Sequence, residues 1–214
     1  MAAAIAHCDR LLGEIVTALR KAKLLNSTLL IVTAKHGNSP IDPRVLRRID
    51  KTTLAKVIKQ AAPGELAQMT TDQGALIWLK DRAETKRVAD ALLRNRSRLG
   101  IRRVLYGTRL ALYFPLPKTD SRTPNLIVIP KQGVIYTKAG VKKKAEHGGF
   151  NQADTHVALL IANPHLPHQG VVQRAPVFTT QVAPTILASL GLSPKLLEAV
   201  VKQGTPVLPG ESWH

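Results

Sequence analysis

The hydrophobic positions of this chain change period several times, and each change marks an element. Ile5, Leu11, Leu12, Ile15, Val16 and Leu19 recur at helical spacing. Arg20, Lys21 and Lys23 close that segment, where cations suit the helix dipole. Asn26-Ser27 reads as a turn, and the continuous apolar run Leu29 to Val32 predicts a strand buried on both faces. Helix, short loop and buried strand make an αβ unit. Asn38 to Pro43 is a loop by its Asn and Pro content. Thr53 to Gln60 predicts a helix, closed by Pro63-Gly64.

The middle of the chain reads strand, helix, strand. Ala75 to Leu79 and Ile101 to Tyr106 are strand candidates, and Arg82 to Arg94 between them is amphipathic. This stretch predicts a small inserted α+β subdomain, drawn at 65–125. Leu126 to Ile129 is again a buried strand, stopped by Pro130, and Gly133 to Tyr136 starts a hairpin. His156 to Ala162 is the last strong strand. Val177 to Leu190 predicts a helix, with Pro184 in its first turn and Gly191 as its C-cap. The expected architecture is α/β: a mostly parallel sheet flanked by helices, formed by 1–64 and 126–214 and carrying the insertion. No internal repeat or low-complexity tract interrupts it.

Charge alters this picture more than composition does. The formal net charge is +17, which admits nucleic acid or another polyanion as a partner. Yet the basic residues are scattered, and aromatics make up only 4%, so platforms for stacking bases are scarce. A generally basic surface is the plainer reading. Cys8 is the single cysteine, which excludes an intrachain disulfide and a Cys-based zinc site. No apolar run is long enough for a membrane helix, and the N-terminal residues do not form a secretory signal.

The chemistry concentrates at two His-Gly turns. Lys35-His36-Gly37 follows the first apolar strand, which places Lys35 and His36 at a strand's C-terminal end, where open α/β sheets bind ligands. Glu146-His147-Gly148-Gly149-Phe150 precedes Asp154, His156 and the last strand. A neutral imidazole binds divalent transition metals, and glycine keeps the ligand uncrowded. His36 and His147 are therefore candidate metal ligands, or strand-end histidines bonded to loop carbonyls. Asp154 and His156 are candidates for orienting a ligand from behind, or for capping the turn. Lys35 is a candidate phosphate contact, since an ammonium serves as a point charge, or a lysine extending into solvent. His165 and His168 lie in a Pro-flanked loop expected to be solvated, and His7 and His214 have no neighbour in sequence to work with.

Together these segments resemble the alkaline phosphatase superfamily, in its type I phosphodiesterase/nucleotide pyrophosphatase branch. Leu29 to Gly37 resembles that family's strand ending in Thr-Ala-Asp-His-Gly. Ala145 to Gly149 and then His156 to Ile161 resemble its His-Gly-Gly turn and following strand. Phe178 to Gly191 resembles its closing helix. The likeness runs in order from residue 5 to 195, with the middle least distinct. It implies an alkaline phosphatase-like fold and a two-metal phosphoesterase, usually zinc, with manganese or iron as alternatives. His36 would then bind one metal and His147 the other, and a phosphate ester would be the substrate.

Two departures qualify that expectation. The family's Asp before His-Gly is Lys35 here, which exchanges a ligand for a cation. The family's N-terminal half, with its Ser or Thr nucleophile and an Asp-x-x-x-His ligand pair, has no counterpart in this chain. Thr33, Ser39 and Thr155 have no context that marks a nucleophile. The expected function is thus a metal-dependent phosphoric ester hydrolase in which this chain is a C-terminal portion, inactive alone and partnered by the missing half. The competing expectation is a non-catalytic basic remnant that binds polyanions such as nucleic acid. Members of the family are often exported, and nothing in these residues fixes the location.

Overall fold

The computed structural model describes residues 2–40, 42–138, 140–166 and 170–210. The first part of the chain forms α1 (Ala2–Lys21), β1 (Leu30–Thr33), β2 (Ser39–Pro40), β3 (Arg47–Asp50) and α2 (Lys51–Ala61). The middle forms β4 (Leu66–Thr71), β5 (Ala75–Leu79), α3 (Thr85–Arg94), β6 (Ile101–Tyr106) and β7 (Leu126–Pro130). The remainder forms β8 (Val134–Thr137), β9 (Ala145–Glu146), α4 (Gln152–Thr155), β10 (Leu159–Ala162), α5 (Val182–Ser189) and α6 (Glu198–Gln203). The chain divides into two units, residues 1–35 with 158–214, and residues 36–157.

The second unit is built on a four-stranded antiparallel sheet in the order β4-β5-β7-β6. Its centre is β7, buried along its whole length. Successive side chains of a strand point to opposite faces, and β7 shows the consequence. Leu126 and Val128 join a core that includes Leu54, Ile58, Val88 and Leu92 of α2 and α3. Ile127 and Ile129 join a second cluster with Leu105 and Leu110 on the other face. The expectation of a strand buried on both faces therefore holds for β7. Asp50 caps α2, its side chain accepting from the Thr52 N–H.

The expected mixture of helices and strands is present, but the pairing is more antiparallel than the apolar runs implied. Parallel pairing is confined, among the described strands, to β3 with β8. The hairpin expected at Gly133 does not form. Both edges of β7 are already occupied by β5 and β6, so the chain leaving β7 cannot fold back on it. It turns at Gly133, whose φ is +81°, and runs beside β3, where the Arg47 N–H donates to the Gly133 carbonyl at 2.9 Å. Four strands escaped the pattern: the two-residue β2 and β9, which fall where the sequence reads as loop and turn, and β3 and β4. β3 offers a single apolar residue, Ile49, among Arg47, Arg48 and Asp50, and β4 mixes Leu66, Ala67 and Met69 with Gln68, Thr70 and Thr71 without strict alternation.

In the first unit, β1 and β10 pair antiparallel with each other, and α1, α5 and α6 belong to the same unit. Pro184 lies in the first turn of α5, as its position required. The predicted double burial of β1 is not found: none of its residues is buried. A two-stranded ladder has too little surface to enclose its own side chains.

Candidate functional site

Four loops of the second unit converge on the histidine pair. The first is His36-Gly37, which leads into β2. The second is Glu146 to Phe150, which leaves β9. β2 and β9 hold these together by antiparallel pairing of Ser39 with Glu146 and Pro40 with Ala145. The third is the tip of the β4–β5 hairpin, where the Gln73 N–H donates to the His147 carbonyl at 3.3 Å. The fourth is Asn151 to Thr155, where the Asp154 carbonyl accepts the Gly37 N–H at 2.7 Å.

The result brings together the rings of His36 and His147, far apart in sequence, with centroids 4.5 Å apart and planes within 11° of parallel. His36 Nδ1 lies 2.9 Å from the Gly37 carbonyl oxygen. A carbonyl only accepts, so Nδ1 carries the proton in this contact, and in the neutral ring Nε2 then has the in-plane lone pair. A metal ion sits in the plane of an imidazole that binds it, about 2 Å from nitrogen. Two nearly parallel, stacked planes cannot share one such point, so this arrangement suits two ions, one per histidine, and not a common one. The donor chemistry fits zinc, but the donor number does not: a zinc site takes about four ligands. Among the described residues no group of three or more His, Cys, Asp or Glu side chains is placed to hold an ion. These residues can be part of a metal centre and do not complete one.

Buried charge supports the second turn. Glu146 is 4% exposed, pairs with Lys143, and its carboxylate also faces the His147 N–H at 3.3 Å. The hydrogen bond that the Lys143 ammonium donates to Glu146 holds it above the ordinary lysine range, with a smaller contribution from the charge of Asp72. Asp154 is 2% exposed. Its carboxylate lies against Gly149, where an added Cβ would approach Oδ2 to 2.6 Å. Phe150 anchors the same turn to the sheet. It packs on the cluster of Leu105, Leu110, Ile127 and Ile129 and meets the ring of Tyr113 edge-on at 5.3 Å.

The other candidates among the described residues are exposed. Lys35 is exposed and ends the first unit's N-terminal segment, one residue before His36. His156 is exposed, and its backbone N–H caps α4 by donating to the Gln152 carbonyl at 2.7 Å. His165 is exposed, and its N–H donates to Asn163 Oδ1. His7 sits exposed on α1, where Nδ1 accepts from Arg10. His168 and His214 lie outside the described residues. The hydroxyls of Thr33 and Thr155 donate to the Ala158 and Asn151 carbonyls. Sequence reasoning missed Gln73, Asp72 and Phe150. Asp72-Gln73-Gly74 carries only a turn signal, whereas Phe150 directly follows the His-Gly-Gly turn and was open to recognition as its anchor.

The α/β fold is similar to that of alkaline phosphatase-like enzymes, and comparison with known proteins gives the family. The model of the type I phosphodiesterase / nucleotide pyrophosphatase family matches residues 1–154, and this chain belongs to that family. Human ectonucleotide pyrophosphatase / phosphodiesterase 5 superposes with a TM-score of 0.60 and 22% identity, over 89% of this chain and 48% of that one. The alkaline phosphatase PafA superposes with a TM-score of 0.56 and 18% identity, over 83% of this chain and 38% of that one. These likenesses show the fold, and this chain spans less than half the length of either protein. No curated protein matches it. Among the described residues no helix is long and apolar enough to cross a membrane.

Proposed function

We propose that this chain contributes the C-terminal portion of a metal-dependent phosphoric ester hydrolase. The stacking of His36 on His147 at 4.5 Å carries the reading. Such an approach of two imidazoles from distant turns has no evident value to the core, since neither ring is buried in it. In this reading His36 binds one divalent ion through Nε2 and His147 binds a second, with further donors from outside the described residues. Imidazole donors favour zinc, with manganese or iron as alternatives. Ions so held polarise a phosphoryl oxygen and stabilise the attacking and leaving oxygens. Lys35 contributes a positive charge toward the phosphate, where the family has a carboxylate. Asp154 and Glu146 act behind the histidines by fixing the backbone of their turns.

The test is calorimetric titration of the full chain with zinc, beside His36→Ala, His147→Ala and the control His165→Ala. Each of the first two variants is expected to lose at least ~10-fold in affinity or one ion in stoichiometry, by analogy with the 10–100-fold effect of even outer partners, while the control is unchanged. Equal zinc binding in all four proteins refutes the assignment. Nucleic-acid binding that weakens steeply with salt and ignores zinc would move the protein to the polyanion-binding reading.

A further inference from the structure

We propose that residues 111–116 are a membrane contact: their exposed apolar side chains enter an anionic lipid surface, and Arg109 and Lys118 engage the headgroup phosphates. The inference lies within the second unit and rests on neither histidine.

Residues 110–117 read Leu-Ala-Leu-Tyr-Phe-Pro-Leu-Pro, with no charged or amide side chain. The run begins in the last turn of a 3-10 helix, Gly107–Leu112. Part of it has a structural task. Leu110 is buried, and Phe114 packs with it on the cluster of Leu105, Ile127 and Ile129. The Leu110 carbonyl accepts the Tyr113 and Phe114 N–H groups, each at 2.9 Å, and the Leu116 carbonyl accepts the Thr119 N–H at 2.9 Å. These bonds fix the run at both ends.

The remaining residues have no such task. Ala111, Leu112, Tyr113, Pro115 and Leu116 are exposed, Leu112 by 76% and Tyr113 by 46%. Among the described residues of the second unit, the exposed large apolar side chains are Leu112, Tyr113 and Leu116 of this run, and Val45. Scattered exposed apolar residues are ordinary. Three or more in succession, as at 111–113, call for a function.

Charge and extent say what the run meets. Arg109 and Lys118 flank it, both exposed. Between Asp90 and Glu146 the sequence holds one acid, Asp120, and Arg122 pairs with it at 2.7 Å. The apolar run is therefore bordered by positive charge. That is the chemistry of an anionic bilayer: leucines pass below the headgroups, a tyrosine has an apolar body and a polar tip for the boundary, and cations meet the phosphates. A protein partner fits less well, since a stable interface takes about 20–30 residues a side. A second copy of this chain fits less well again, because each carries a formal charge of +17 and like charge opposes association. The Tyr113 ring meets Phe150 edge-on at 5.3 Å, so the contact brings the turn that carries His147 to the lipid surface.

Sedimentation of the full chain with lipid vesicles tests this, with a chelator present so that the result is independent of the zinc assignment. The chain is expected to bind vesicles of phosphatidylcholine and phosphatidylserine at least ~10-fold more tightly than vesicles of phosphatidylcholine alone. Leu112→Asp should weaken that binding at least ~10-fold, in keeping with the burial of one leucine side chain. Val45→Asp makes the same change of charge at an exposed apolar site outside the run, and should cost less than ~3-fold because it stays away from the lipid. Arg109→Ala and Lys118→Ala should each lose about 5-fold on the anionic vesicles, the contribution of one cation at such a surface. No binding to either vesicle overturns the proposal. Equal weakening by Leu112→Asp and Val45→Asp also overturns it, since attraction by net charge alone would then account for the binding. A dimer in lipid-free buffer that Leu112→Asp dissociates would make the run a contact between copies, and overturns it as well.

Discussion

A Cβ placed on Gly37 would lie 1.9 Å from the Ala153 carbonyl oxygen, and one on Gly149 would lie 2.6 Å from Asp154 Oδ2 and 2.8 Å from the Gln73 carbonyl oxygen. Glycine at these two positions is thus a packing requirement: the loops that present His36 and His147 approach too closely for any side chain. Gly37→Ala is expected to destabilise by about 1–3 kcal/mol, the cost of overpacking, and to break the Gly37 to Asp154 hydrogen bond. Loss of the close contact between the two imidazoles, read by histidine ring NMR shifts, would accompany it. A variant as stable as the parent with unchanged ring shifts would show that the loops can separate without consequence. The sequence displayed both His-Gly pairs, and glycine's role as a permissive neighbour was legible there. That Gly37 serves the 151–155 loop, and not its own histidine alone, depends on a contact across the chain that no local pattern encodes.

At the scale of elements, the apolar runs located strands but did not assign their partners. β5, β6, β7 and the helices α1, α2, α3 and α5 fall where periodicity placed them. Pairing is decided by which edges remain free, and a run such as Leu126 to Ile129 reads the same whatever lies beside it. One polar residue settles the matter for β7. The Asn125 N–H donates to the Ile77 carbonyl at 2.8 Å, and Asn125 Oδ1 accepts the buried Leu79 N–H, also at 2.8 Å. Asn125 thereby extends the β5–β7 pairing past the last ladder residue, Leu126. Asn125→Ala leaves the Leu79 N–H buried without that acceptor, and is expected to cost about 1–3 kcal/mol. A urea midpoint within error of the parent would show that another group takes over. The same calculation does not extend to Trp78, whose indole N–H donates to the Arg122 carbonyl at 3.2 Å nearer the surface.

For the whole molecule, the two units have unequal means of holding their structure. Residues 36–157 enclose a core in which Leu54, Ile58, Ile77, Leu92 and Ile101 are fully buried. Each such side chain contributes about 1.5–3 kcal/mol relative to exposure. The first unit buries Pro184, Ala188 and Leu208 beside the polar Gln181 and Thr185, and Thr185 accepts the Leu208 N–H at 2.8 Å; α1 contributes nothing buried. Its length and amphipathic pattern made α1 easy to foresee, yet pattern alone promised it a core that the described structure does not supply. Cooperative unfolding requires that the parts share interactions, and segments with little burial open first. Unfolding of the chain alone is therefore expected in two steps. Cys8, the single cysteine, is exposed on α1, so a fluorophore attached there follows the first unit. Trp78 in β5 follows the second once the other tryptophan is removed by Trp213→Phe. In urea, the anisotropy of the label at Cys8 should fall at a clearly lower midpoint than the Trp78 emission changes. Coincident transitions would mean that the chain unfolds as one cooperative body, and that the first unit draws stability from burial other than its own.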